Sequence, residues 1–401
     1  MNAFVTDGDQ RPALAIVRSL GRRGISVLVG EERPTSLASS SRYCSRHVTY
    51  PSPYRHPEAF EQFMLGLVAR ERVDVVIPVT DVTTHSIALN QDTLGRHSAL
   101  ATPPFDAFDL VADKHALLQR AARCGIAVPR THVVDGIAGL KDLVDHVEYP
   151  AVVKPIRSRI RTDRGWRAAS VHYAGSESDL WNLYQETDYL TSYPSLIQER
   201  ISGPGVGTFV LFDHGRLLAA SAHRRLREKP PSGGVSVLRE SVPVDPIVRD
   251  QAIRLLGPLG WHGVAMLEYK QDRRTGTPYL MEVNGRFWGS LQLAVDAGVD
   301  FPYLAWQLAL GHRPEIAPSY RVGVKSRWLL GDLDHLLTRL GTRDRDLQLP
   351  DLASSKLRTL IDFFKFAGPD LHYEVINRED LRPFFYECRQ WVRALSRTPA
   401  S

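Results

Sequence analysis

The first hundred residues alternate short apolar runs with stretches in which apolar residues recur every three or four positions. That alternation is the sequence form of βαβ units, and it predicts an open α/β domain built on a parallel sheet. Ala3 to Val5 reads as the first strand, with Ala13, Ile16, Val17 and Leu20 on the face of the helix that follows and Gly21 and Gly24 at its end. Ile25 to Val29 is a second strand. Phe60, Phe63, Met64 and Leu67 mark another helical face, and Val73 to Val79 is a run apolar enough for a strand buried on both sides.

The pattern changes at Pro103-Pro104, where two prolines remove donors and hold the chain extended. Asp113 is placed to cap a helix running to about Arg123, with Gly125 as its stop. Strands are then expected around Lys154, over Ala168 to Tyr173, Ser195 to Glu199, Val206 to Phe212, Leu217 to Ala222, Val235 to Val244, Gly263 to Lys270 and Pro278 to Asn284. Their short connections make them largely antiparallel. Val248, Ala252, Leu255, Leu256 and Leu259 give a helix to pack on them. Beyond about residue 320 the chain reads as mixed and mostly helical.

Composition narrows the partners. Fifty basic against 45 acidic residues leave a formal charge of only +5, so a nucleic acid is not the expected ligand, and no nucleic-acid-binding motif is present. The three cysteines, Cys44, Cys124 and Cys388, include no CxxC pair and suggest a reducing, cytoplasmic setting. No run approaches the roughly 18 apolar residues of a membrane span, so no membrane partner is expected.

The residues that carry chemistry come in three separated pieces: Lys154 in Val-Val-Lys-Pro, Glu268 in Ala-Met-Leu-Glu-Tyr, and Glu282-Val-Asn284-Gly-Arg286. Strand alternation sends Glu282 and Asn284 to one side, together with Leu280, and Met281 and Val283 to the other. If the strand bearing Glu268 is the neighbour, three oxygen ligands share one place, a sparse set of the kind that suits magnesium bound to phosphates. Arg286 would present its planar fork to a phosphoryl group or a carboxylate. Each piece alone also fits a plainer role: an ion-paired strand lysine, a solvated carboxylate, a turn built on Asn-Gly.

In their order these pieces resemble the ATP-grasp superfamily, and the resemblance runs from about residue 1 to 315. It implies a pre-ATP-grasp open α/β domain (1–104), α+β ATP-grasp lobes at 105–200 and 201–318, the second carrying the metal site, and a mixed, mostly helical extension at 319–401. It further implies that Lys114 and Lys154 contact nucleotide phosphates, that Glu199 with the backbone of Arg200 and Ile201 holds adenine, and that Glu268, Glu282 and Asn284 bind Mg2+ (or Mn2+) with ATP. Two departures stand out. Where family members close a Gly/Ser-rich loop over the phosphates, this chain has Arg157-Ser-Arg-Ile-Arg-Thr-Asp-Arg-Gly-Trp166, and Gly203 to Gly207 offers no acid for the ribose. The arginines there would clamp phosphate or serve a different substrate; the stretch is expected to be a mobile lid that closes with the His223 to Arg227 strand end and whose like charges a bound polyphosphate relieves, the plainer alternative being a solvated basic hairpin.

Substrate contacts are expected from His223 and Arg225, which share a strand face, and from Asp7 and Asp81, which follow strand ends in the α/β domain where such sheets bind ligands. His262 reads as structural, and Trp261 and Trp288 as packing or substrate-wall residues. The expected activity is ATP-dependent ligation of a small carboxylate to an amine through an acyl phosphate, with Arg286 and Lys154 as catalytic residues and a homodimer as a candidate assembly. No Gly-x-Ser-x-Gly elbow or Cys-His pair competes with it. Alternatives are a carboxyphosphate-using carboxylase or carbamoyl-type enzyme, and a nucleotide-binding protein without turnover.

Overall fold

A computed structural model describes residues 1–344, 347 and 354–396. The amino-terminal sheet is wholly parallel, with strands β1 (Asn2–Val5), β2 (Ser26–Glu31), β3 (Cys44–Thr49), β4 (Val75–Ile77) and β5 (Ala99–Leu100) in the order 3-2-1-4-5. Helices Arg11–Gly21 and Pro57–Arg70 provide the crossovers from β1 to β2 and from β3 to β4. Pro12 stands in the first turn of the former, where its missing N–H costs nothing.

After the two prolines comes helix Lys114–Arg123, capped by Asp113, whose Oδ1 accepts from the Ala116 N–H at 2.9 Å. Strands β6 (Thr131–Asp135) and β7 (Ala151–Pro155) follow. The arginine-rich segment forms a hairpin of β8 (Arg159–Thr162) and β9 (Gly165–Ala168). With β10 (His172–Ala174) and β11 (Pro194–Glu199) a four-stranded antiparallel sheet forms in the order 10-7-11-6. Its inner face, with Val134, Val153 and Ile197, packs on Leu180, Tyr184 and Leu190 as a separate core.

The largest sheet has seven strands in the order 16-15-12-13-14-17-18: β12 (Gly205–Asp213), β13 (Arg216–Lys229), β14 (Val235–Val242), β15 (Gly263–Gln271), β16 (Pro278–Asn284), β17 (Lys325–Arg327) and β18 (Leu371–Tyr373). One face carries Val210, Phe212, Ala265 and Leu267 and buries them under helices Pro246–Leu256 and Lys114–Arg123. The other carries Phe209, Val264 and Met266, which join the core of the α/β domain and helix Phe301–Ala309. This second face is covered only part of the way along. Past Met266 the next residues on it are Glu268 and Lys270, and they look into a cleft.

The carboxy-terminal segment is more than a helical appendage. β17 and β18 extend the large sheet, and Glu374 and Asp380 just beyond β18 pair with Arg11 and Arg18 of the first helix. Strands this short carry too little pattern to show in the sequence. No helix among the described residues is long and apolar enough to cross a membrane.

Candidate active site

The cleft, of about 980 Å3, opens between the four-stranded and seven-stranded sheets. Alternation in β7 sends Ala151 and Val153 into the core and Val152 and Lys154 to the cleft. Opposite stand Glu268 and Glu282, directly paired across β15 and β16, with Asn284 paired to Met266 on the same face.

The pairing departs from simple alternation in one respect. Glu268 faces Glu282 and Tyr269 faces Leu280, so Met281 is an extra residue, a β-bulge. Leu280 consequently turns into the core with Val283, while Met281 joins Glu282 in the cleft wall. Leu280 was expected beside Glu282 and Asn284, and Met281 opposite them; the bulge reverses both. Its effect is to set the Met281 thioether 4.0 Å from the Lys154 ammonium.

The charges here are only partly matched. Burial depresses Lys154, as do Lys114 and Lys270, while Glu282 and Glu268 oppose the shift. Burial raises Glu268 and the facing Glu282 adds to it, against the pull of Arg225. Burial would raise Glu282 too, but Lys114, a hydrogen bond from Asn284, Lys154 and Arg286 outweigh it and hold its carboxyl below the usual range. Arg225 lies 2.6 Å from Glu268 and 2.9 Å from Glu228, spanning the two carboxylates.

Asn284 donates from Nδ2 to Glu282 at 3.0 Å and accepts at Oδ1 from Arg286 at 3.3 Å. Arg286 also donates to Asp81 at 2.8 Å, which ties the end of β16 to the α/β domain. Arg200 and Ile201 line the cleft, but the Glu199 carboxylate is already taken by the backbone and side chain of Arg130 at 2.9 and 3.3 Å. Lys114 is buried and donates to Ser158 Oγ at 2.7 Å.

Two expected residues lie elsewhere. Asp7 is buried with its Oδ2 accepting from Thr6 and Thr83 hydroxyls, both at 2.6 Å, and from the Thr80 N–H at 3.0 Å. It fixes the loop that carries Asp81, a role its position at a strand end conceals. His223 shares a face with Arg225 as expected, but it is 1% exposed, edge-on to Phe209 at 4.8 Å, and lies under Gly207, where a Cβ would come within 2.7 Å of its ring. It does not line the cleft.

The arginines of residues 157–167 do not repel one another in an open loop. Arg157 holds Asp109 at 2.6 Å, Arg161 pairs with Glu58, and Arg167 reaches Asp188 at 3.2 Å. The hairpin docks on the α/β domain through the Trp166 N–H to Tyr54 carbonyl bond of 2.7 Å, at a point where Gly165 leaves no room for a Cβ. Glu228 and Lys270, cleft residues that sequence reasoning passed over, had one signal: each is charged at a position whose strand neighbours are cleft-facing.

Comparison with known proteins agrees with this architecture. Residues 191–330 match the family model described as ATP-grasp in the biosynthetic pathway with Ter operon. No curated protein matches the chain by sequence. Among solved structures, the biotin carboxylase of Campylobacter jejuni, complexed with a β,γ-ATP ligand, is 15% identical with a TM-score of 0.64, over 80% of this chain and 74% of that one. An ADP complex of N5-carboxyaminoimidazole ribonucleotide synthetase is 12% identical with a TM-score of 0.66, over 90% of this chain and 96% of that one. The L-amino acid ligase of Bacillus licheniformis is 20% identical with a TM-score of 0.58, over 77% and 74%. Identities this low speak to fold alone: the chain shares the fold of these structures, and its residues 191–330 match an ATP-grasp family model.

Proposed function

We propose that the chain is an ATP-dependent carboxylate-amine ligase. The observation that carries the reading is the register pairing of Glu268 with Glu282, with Asn284 two residues along, facing Lys154 across a cleft. Two opposed half-buried carboxylates raise each other's cost of ionisation, and a divalent cation removes it. A hard oxygen set of this size suits Mg2+ or Mn2+, which Glu268, Glu282 and Asn284 would hold and which would neutralise phosphate charge. The domain arrangement supports the reading: a hinge backbone at Arg200 and Ile201 for adenine, and a lysine strand for the phosphates.

In the first half-reaction a carboxylate oxygen attacks the γ-phosphorus, the bond to ADP breaks, and an acyl phosphate forms. In the second an amine attacks the acyl carbon, the carbon-oxygen bond to phosphate breaks, and phosphate leaves as the nitrogen sheds its proton. Such chemistry asks for positioning and charge neutralisation, with no side-chain nucleophile. Lys154, whose ammonium has no hydrogen-bonding oxygen among the described residues, supplies charge to the phosphates. Arg286, held by Asp81, supplies it at the transferred group. Arg225 must yield Glu268 when the cation binds, which frees its guanidinium for an anionic substrate.

A second reading, with bicarbonate as the carboxylate and carboxyphosphate as the intermediate, draws support from the likeness to biotin carboxylase and to the carboxyaminoimidazole enzyme. Phosphate release with Mg-ATP separates the two. Release dependent on an amino acid or another organic acid, with amide product by mass, is expected; release dependent on bicarbonate alone favours the second.

A further inference from the structure

Glu282 belongs to two cavities. It lines the large cleft, and with Asn284 it also lines a second, smaller one of about 50 Å3 on the side of the α/β domain. The other walls of the small cavity include Asp81 and His85 on helix Asp81–Leu89, Lys114, and Arg159 and Trp166 from the two strands of the hairpin. None of residues 157–168 lines the large cleft. The hairpin that stands in the place of a phosphate loop thus faces a different space.

The polar groups around that space are mostly donors. Trp166 Nε1 and His85 Nδ1 are buried without a partner. Arg159 has no carboxylate within ion-pair distance among the described residues, and its guanidinium lies 5.6 Å from the Tyr54 ring centre. The wall holds two acids, and both are engaged: Asp81 by Arg286 and Glu282 by the Asn284 amide. Buried N–H groups left without acceptors are costly unless something else supplies the acceptor. Since a water occupies about 30 Å3 of liquid, the cavity has room for a small head group and little more. His85 and Trp166, edge to face with ring centres 4.9 Å apart, give it flat walls. Burial, Arg161 and Arg157 keep the imidazole neutral against the pull of Asp109, so it can donate from one ring nitrogen without adding charge.

We infer that this cavity receives the carboxylate group of the substrate, with Arg159, Trp166 Nε1 and His85 as its donors, and that the hairpin selects the acid rather than clamping the nucleotide. The assignment rests on the ligase reading. It sets the carboxylate beside Asn284 and beside Glu282, the residue that the small cavity shares with the large cleft.

The test uses the full chain with Mg-ATP, two carboxylate pools (the twenty amino acids, and short mono- and dicarboxylic acids) and hydroxylamine as the trapping amine, with hydroxamates identified by mass. In Trp166→Phe, which keeps the ring and removes the donor, and in Arg159→Gln, the half-saturating pool concentration should rise about tenfold or more, as expected for a lost charged or buried hydrogen bond. Mg-ATP affinity by calorimetry should stay within about twofold of wild type. Half-saturation that does not move overturns the inference. So does a parallel loss of nucleotide affinity, which would return the hairpin to the phosphates. A wild-type chain that binds Mg-ATP but forms no hydroxamate from either pool overturns the ligase reading, and this assignment with it.

Discussion

Two clusters of buried charge in this molecule are built to opposite ends. At the first, Arg18 donates to the Asp380 carboxylate at 2.9 Å and to the carbonyls of Glu374, Val375 and Asp380 at 3.0, 2.8 and 2.9 Å. Asp380 in turn accepts from Ser41 Oγ at 2.7 Å and the Arg42 N–H at 2.9 Å. Nearly every donor and acceptor there is satisfied, and the cluster straps the carboxy-terminal segment to the first helix. At the second, Lys154 has a thioether at 4.0 Å and no carboxylate in ion-pair reach among the described residues, and Glu268, though held by Arg225 at 2.6 Å, is set opposite Glu282. Buried charge is expensive unless matched. A cluster that matches itself is architecture; the proposed function takes the partly matched one as a binding site.

Breaking the closed cluster should do the most damage. Asp380→Asn leaves Arg18 buried with no counter-charge, and the loss of one partner of a buried pair costs about 3–5 kcal/mol. Thermal or urea unfolding should show that loss. A shift within experimental error would mean the strap is not closed in solution.

The open cluster should respond in the reverse way. Glu282→Gln keeps the shape but removes one of two opposed carboxylates, so the fold should melt no lower than wild type while turnover falls by on the order of 10²-fold. Phosphate release and melting measured on the same preparation check both halves. Loss of fold together with activity would make the pair structural.

A smaller effect sharpens the contrast through pH. Burial alone would raise Asp380, but the hydrogen bonds from Ser41 and Arg42 and the Arg18 charge outweigh it and hold its carboxyl below the usual aspartate value of 3.8. A carboxylate depressed in the fold lends stability that is present above its unfolded pKa and lost as pH falls through the folded one. The stability gap between wild type and Asp380→Asn should therefore be constant at neutral pH and narrow only below about pH 4. A gap that closes near pH 6 would point to another group.

How much of this was legible in the sequence depended on how local the cause was. Glu282 and Asn284 share a face because strand alternation is local, and Asp113 caps its helix through a bond three residues away. The Met281 bulge was not legible, since it depends on how β15 and β16 pair. Strand β3, Cys-Ser-Arg-His-Val-Thr, has no apolar alternation, and β17 and β18 have three residues each. The arginine run at 157–167 looked like self-repulsion because its partners Asp109, Glu58 and Asp188 lie at distances along the chain that no local pattern spans. Asp7 sits where a ligand residue would sit, and only the hydroxyls of Thr6 and Thr83 show that its oxygens are already used.

The claim that the open cluster is completed by a metal-bound nucleotide is tested most directly by calorimetry of ATP with and without Mg2+, on wild type and Lys154→Ala. Binding that requires Mg2+ and weakens in the variant by about 1.5–3 kcal/mol, the worth of a hydrogen bond to a charged group, is the predicted result. Binding that is absent with Mg2+, or that is unchanged by the loss of Lys154, would contradict it.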